Sequence, residues 1–198
     1  MNGAGEGKTI ISAPLSVTGE NAVLLINNGA NVKIGNLTVN GKNAGVTGLY
    51  GVKFMNASGS LNRVTVTGIT AAQFNGAQEF RAIDARATVG NHTLTVTNSV
   101  VADYQKSGIY VSGAGMSAVI ENNNITGKGD TAVIAQNGVT IMAGAKGEVK
   151  NNTISAHNYT TVANSAFDIL FYDASATSTH ANNKNTNNEN SYFKSVNN

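Results

Sequence analysis

Cysteine and tryptophan are missing from the 198 residues, proline occurs once, and charged side chains make up only 12%. The lack of cysteine excludes a disulfide framework and thiol chemistry. The 13 basic and 11 acidic residues are scattered singly and leave a formal charge of +2. Phosphate-backbone binding draws on clustered Lys and Arg interleaved with aromatics, so no nucleic-acid partner is expected. No run of about 18 apolar residues occurs, and no membrane insertion is expected. The opening MNGAGEGKTII has neither the charged start nor the apolar stretch of an export signal. Its glycines also lack the spacing of a phosphate-binding loop.

What the chain does contain is glycine, 22 residues of it, with abundant Thr, Val, Asn and Ala, a composition of short strands and tight turns. The chain also repeats. GVKF, AIDA, GIYV, GVTI and DILF align on Val52, Ile83, Ile109, Val139 and Ile169, which are 31, 26, 30 and 30 residues apart. A second column aligns Asn62, Asn98, Asn123, Asn152 and Asn183, placed 10, 15, 14, 13 and 14 residues after those anchors. The return to the next anchor varies more, from 11 to 21 residues, so insertions are confined to one side. A fixed period with one loop-bearing side is the mark of a solenoid. Within the first column the period is two, which turns Val52 and Phe54 inward and Lys53 outward, and likewise along the repeat.

The segments VIENNNITG (119–127) and EVKNNTISA (148–156) put asparagines just ahead of an isoleucine. Asn tolerates the left-handed backbone of a sharp corner, and stacked Asn side chains hydrogen-bond in ladders, so these read as corner residues. A Gly-Ile-x-Val strand, an Asn-Asn-x-Ile turn and a coil near 30 residues resemble the right-handed parallel β-helix, or pectate-lyase-like, superfamily. The resemblance covers roughly residues 9 to 190 and is plainest in IAQNGVTIMAGAKGEVKNNTIS (134–155). It implies an all-β fold: one domain, 1–198, a single-stranded right-handed parallel β-helix of about six coils of ~30 residues. Residues 177–198 read as a degenerate terminal coil or cap, because His180 and Asn185 stand where Val149 and Ile154 stood one coil earlier, with SYFKSV (191–196) packing over the end. No helix covers the N-terminal end, which suggests one segment, or a minimal form, of a longer chain or oligomer.

The superfamily includes many polysaccharide-active enzymes, but their signatures are missing. There is no Asn-Thr-Asp strand with an Asp pair and Gly-His-Gly turn, no calcium-binding carboxylate cluster, and no Tyr-Gly-Phe-Asp-Pro-His segment. No catalytic residue, cofactor or metal ligand is therefore carried over. His92, His157 and His180 fall at unrelated points of the repeat and read as turn or surface residues.

Stacking nonetheless gathers polar groups on the outer face of the first column. Lys53, Asp84 and Tyr110 fall on successive rungs about 4.8 Å apart, with Arg86 beside them. The insertion ITAAQFNGAQEFRA (69–82) returns onto this face with Gln78, Glu79, Phe80 and Arg81, forming one wall of a groove. Aromatic faces stack on sugar rings, and planar polar groups pair with hydroxyls and carboxylates. Lys53, Arg81, Asp84, Arg86, Tyr110, Glu79 and Phe80 are thus candidate binding residues for a polysaccharide or surface glycan. The plainer alternative is an exposed Lys53–Asp84 ion pair worth roughly 0–1 kcal/mol amid solvated charges. The expected role is an extracellular or cell-surface structural or adhesive module. The alternative is a lyase, epimerase or hydrolase with Asp84, Arg86, Arg81 and Tyr110 as its acid, base or charge-stabilising groups.

Overall fold

The computed structural model describes residues 1–14, 21–42, 46–161, 164–186 and 188–197, and among these there is no helix. The eighteen strands of the described residues pair only in parallel. One sheet has seven: β2 (Ala22–Asn27), β4 (Tyr50–Met55), β6 (Arg81–Arg86), β9 (Ser107–Ser112), β12 (Asn137–Met142), β15 (Phe167–Ser175) and β18 (Asn190–Asn197). The other has eleven. It begins with β1 (Ile10–Ser12), β3 (Asn31–Asn40) and β5 (Ser58–Thr67). Each later coil then contributes two strands on either side of a corner: β7 (His92–Thr97) and β8 (Val100–Ala102), β10 (Met116–Glu121) and β11 (Asn124–Thr131). Two further pairs follow, β13 (Lys146–Lys150) with β14 (Thr153–Tyr159), and β16 (Thr179–Ala181) with β17 (Lys184–Thr186). Strand β5 meets both arms, pairing with β7 through Gly59–Asn62 and with β8 at Thr65 and Val66. The result is a parallel β-solenoid of about six turns with three faces.

The apolar anchors stack as their spacing predicts. Val52, Ile83, Ile109, Val139 and Ile169 are successive Cα partners, and the stack extends to Leu24 before them and Tyr192 after. A second inward stack runs Ile26, Phe54, Ala85, Val111, Ile141, Phe171. Facing it from the other sheet are Val32, Gly59, Leu94, Ala118 and Gly147. Large residues in one stack meet small ones in the other. A Cβ on Gly59 would lie 2.5 Å from the Phe54 ring, so this volume exchange keeps the interior close-packed.

The asparagine corner differs from the expected single column. Two successive residues divide its duties. Asn98, Asn122, Asn151 and Asn182 take the left-handed conformation, with φ of 51°, 57°, 56° and 54°, as does Arg63 at 54°. The next residue turns inward and builds the ladder. Asn123 Nδ2 donates to Asn152 Oδ1, and Asn152 Nδ2 donates to Asn183 Oδ1, both at 2.9 Å. Each ladder side chain also accepts from the backbone N–H one rung below, and Ser99 Oγ serves Val64 N in the same way. Asn98 therefore holds the left-handed site one residue ahead of the ladder, while Asn62 pairs with Thr97, one residue earlier still.

His157 is likewise not a surface residue; it is fully buried. Its Nδ1–H donates to Asp168 Oδ1 at 2.7 Å, and its Nε2 is hydrogen-bonded with the Tyr104 hydroxyl at 2.5 Å. Asn185 Nδ2 donates to the other carboxylate oxygen at 2.5 Å. The two rings fit inside because glycines flank them: a Cβ on Gly127 would meet His157 Cδ2 at 2.8 Å, and one on Gly108 would meet Tyr104 Cε1 at 3.1 Å. Burial pushes the Tyr104 phenol well above its ordinary pKa, with the Asp168 charge adding to the effect.

At the C-terminal end Val149 pairs with His180 and Ile154 with Asn185, so the interior turns polar as expected. The SYFKSV segment does not lie over the end. It continues the stack as β18, paired in parallel with β15 with a register shift between Phe171 and Ala174, and Tyr192 packs against His180 at 3.9 Å and Phe171 at 5.6 Å between ring centroids.

Candidate binding groove

Strand alternation presents two outward rows on the seven-stranded sheet. Lys53, Asp84, Tyr110, Thr140 and Leu170 form one, and Met55, Arg86, Ser112, Met142 and Tyr172 the other. The first row is not a solvated surface. Lys53 is 4% exposed and Asp84 is fully buried, which removes the reading of an exposed ion pair.

Asp84 is held by arginine. Arg86 Nε and Nη2 donate to its two oxygens at 2.7 and 2.9 Å, and Arg81 Nη1 adds a longer contact at 3.4 Å. Burial weakens the Arg86 guanidinium's hold on its proton, but the hydrogen bonds and charge of Asp84 outweigh it, and the pKa is raised overall. The cations also lie over tyrosine faces: Lys53 over Tyr50 at 4.3 Å, Arg81 over Tyr110 at 4.1 Å, and Arg86 near Tyr110 at 5.2 Å. The structure thus brings together Lys53, Arg81, Asp84, Arg86 and Tyr110. Phe80 instead packs into the core at 3% exposure, with a left-handed φ of 61° that turns the chain into β6. Glu79 is exposed beside Gly48 and lines neither hollow described next.

Further along the sheet the face opens into two adjoining hollows of about 470 and 550 Å³. Both are lined by Gln78, Lys106, Asn137, Leu170 and Tyr172; the first adds Phe167 and Phe193, the second Arg81, Tyr110 and Thr140. These volumes suit a sugar unit or two. No lining residue of either hollow is a carboxylate.

Buried glutamines fix the walls. Gln105 Oε1 accepts from Ala71 N at 3.3 Å, and its Nε2 donates to Asn75 Oδ1 and Ala77 O at 2.9 Å, pinning the insertion. Gln136 Nε2 donates to Tyr104 O at 2.6 Å while its Oε1 accepts from Lys128 N at 2.7 Å. Glu189 takes the Ala166 N–H at 2.8 Å and shapes the third wall. The walls of the groove are therefore held by the chain's own hydrogen bonds.

Lys106 is the principal residue that outward alternation did not single out. It precedes β9, and only its place between the walls, invisible in strand alternation, brings it into the groove. Its Nζ donates to Ala135 O at 2.8 Å. Burial, with the nearby Arg81 charge, lowers its pKa to about 8. Two buried polar atoms beside it, Arg81 Nε and Thr140 Oγ1, have no hydrogen-bond partner. Among the described residues no three His, Asp or Glu side chains gather to hold a metal ion. Compared with models of known families, with curated proteins and with solved structures, the chain matches none.

Proposed function

We propose that the chain is a glycan-binding module of a secreted or cell-surface protein, pectate-lyase-like in architecture, whose groove holds an acidic polysaccharide without cleaving it. The observation that carries this reading is a preformed groove across stacked rungs, lined by Tyr110, Tyr172, Phe167 and Phe193 beside Arg81 and Lys106, with no carboxylate among its lining. Ring faces suit sugar faces, and fixed cations suit uronate or sulfate groups. Hydrolysis of glycosides generally uses two carboxylates flanking the bond. On this face Asp84 is buried and committed to arginine.

Calorimetry with pectate, alginate and host acidic glycans, against neutral oligosaccharides of equal length, tests it. Acidic chains bind, and Tyr110→Ala or Tyr172→Ala weakens binding about three- to tenfold, the worth of one stacking contact. Failure of every acidic glycan to bind rejects the reading. A second reading, a lyase or epimerase, is favoured by Lys106 alone, an amine in the groove with its pKa lowered to about 8 and so suited to proton abstraction. Accumulation of unsaturated product with turnover, abolished in Lys106→Met, would replace the first reading with the second.

A further inference from the structure

We propose that Arg81 and Lys106 form one oxyanion subsite, which takes a carboxylate or sulfate group of the bound glycan and releases it when Lys106 gives up its proton. The identity of the carrier rests on the glycan-binding reading above; the subsite itself rests on the charges and donors in the groove.

The second hollow has two cations in its wall and no carboxylate. The neighbouring Asp84 does not balance them, because Arg86 engages both of its oxygens at 2.7 and 2.9 Å, against 3.4 Å for the single Arg81 contact. The fixed charge facing the hollow is thus positive. Donors are also in surplus. An ammonium has three N–H groups, and among the described residues the Lys106 contact is to Ala135 O alone. An oxyanion between Arg81 and Lys106 supplies acceptors for the remaining ammonium N–H groups.

The same anion changes the lysine. Burial and Arg81 disfavour the Lys106 ammonium, and an anion bound against it restores that charged form. Binding and protonation are then reciprocal: the anion raises the affinity of Lys106 for its proton, and the proton raises the affinity for the anion. The groups facing Lys106 across the hollows are Arg81 from β6, Tyr110 from β9, Tyr159 from β14 and Tyr172 from β15. Of these only Arg81 is a cation. With the free lysine titrating at about 8, its ammonium fraction falls about tenfold between pH 7 and pH 9.

Calorimetry on the full chain at pH 7, 8 and 9 tests this, with glucuronate, glucose 6-sulfate, inorganic sulfate and glucose as probes. Both acidic sugars bind at pH 7, glucose binds at least tenfold more weakly, and acidic-sugar affinity drops about tenfold by pH 9. Lys106→Arg, which keeps the charge throughout, binds at pH 7 and changes less than twofold by pH 9. Lys106→Met, checked for native circular dichroism, loses the acidic sugars. Equal and pH-independent binding of glucose and glucuronate would overturn the subsite and leave the groove standing. Inorganic sulfate binding with this pH profile, while no sugar binds, would keep the subsite and remove the glycan reading. Absence of binding by all three anions overturns the proposal.

Discussion

Neighbouring asparagines in one corner do different physical work, and that difference is measurable. Asn152 is 1% exposed; its Nδ2 donates to Ile120 O and Lys150 O at 3.0 Å, and its Oδ1 accepts from Asn123 N at 3.0 Å. Truncation takes the acceptor from the buried Asn123 N–H and removes the amide donors of the ladder at once. Asn152→Ala is expected to cost about 2–4 kcal/mol in urea unfolding, the sum of two or so unsatisfied partners. Asn151 is exposed and contributes chiefly its left-handed backbone. Asn151→Ala should cost about 1 kcal/mol, and Asn151→Gly close to nothing. Equal losses at the two positions would mean that the ladder contributes no more than the turn.

Among the elements, the last coil is held by polar rather than apolar stacking, and one of its groups is sensitive to acid. His180 sits on the Val149 stack against Tyr192, with its pKa lowered by partial burial and by the charge of Lys194. A histidine whose folded pKa is depressed binds more protons when unfolded. Its stabilising contribution is present above the ordinary value of 6.5 and is lost as the pH falls through that value toward the lower folded pKa. Hydrogen exchange across β16 to β18 should therefore accelerate, relative to β9 to β12, between pH 7 and pH 5. His180→Val should remove that selective change; its persistence would place the sensitivity elsewhere. This element also shows what sequence can reveal. The fading of apolar residues at His180 and Asn185 was legible because each stands at a fixed distance from an apolar predecessor. The continuation into β18 was not, since Tyr192 and Lys194 stand where the preceding coils carry an aliphatic or aromatic pair such as Val139 and Ile141 or Ile169 and Phe171. The Tyr104–His157–Asp168 chain was hidden for another reason: its members lie 53 and 11 residues apart and meet only through space that glycine leaves.

For the molecule as a whole, the proposed function depends on register. Five of the seven candidate binding residues converge because rungs align residue for residue, and the groove that completes the site comes from loops whose anchoring glutamines carry no periodic signal. A slip of one residue in any rung would turn Asp84 or Tyr110 toward the interior. The cysteine-free chain allows this alignment to be measured directly on the groove face. Ser112, Met142 and Tyr172 occupy one outward row on successive rungs, so neighbours are ~4.8 Å apart and alternates about twice that. Disulfides form only when Cα atoms lie within about 7 Å. The measurement is oxidative cross-linking of the three cysteine pairs, read by peptide mass. Ser112→Cys with Met142→Cys, and Met142→Cys with Tyr172→Cys, should each close an intramolecular bond, while Ser112→Cys with Tyr172→Cys should remain reduced. Closure of the alternate pair, or failure of both adjacent pairs in folded protein, would contradict the stacking from which the groove is built.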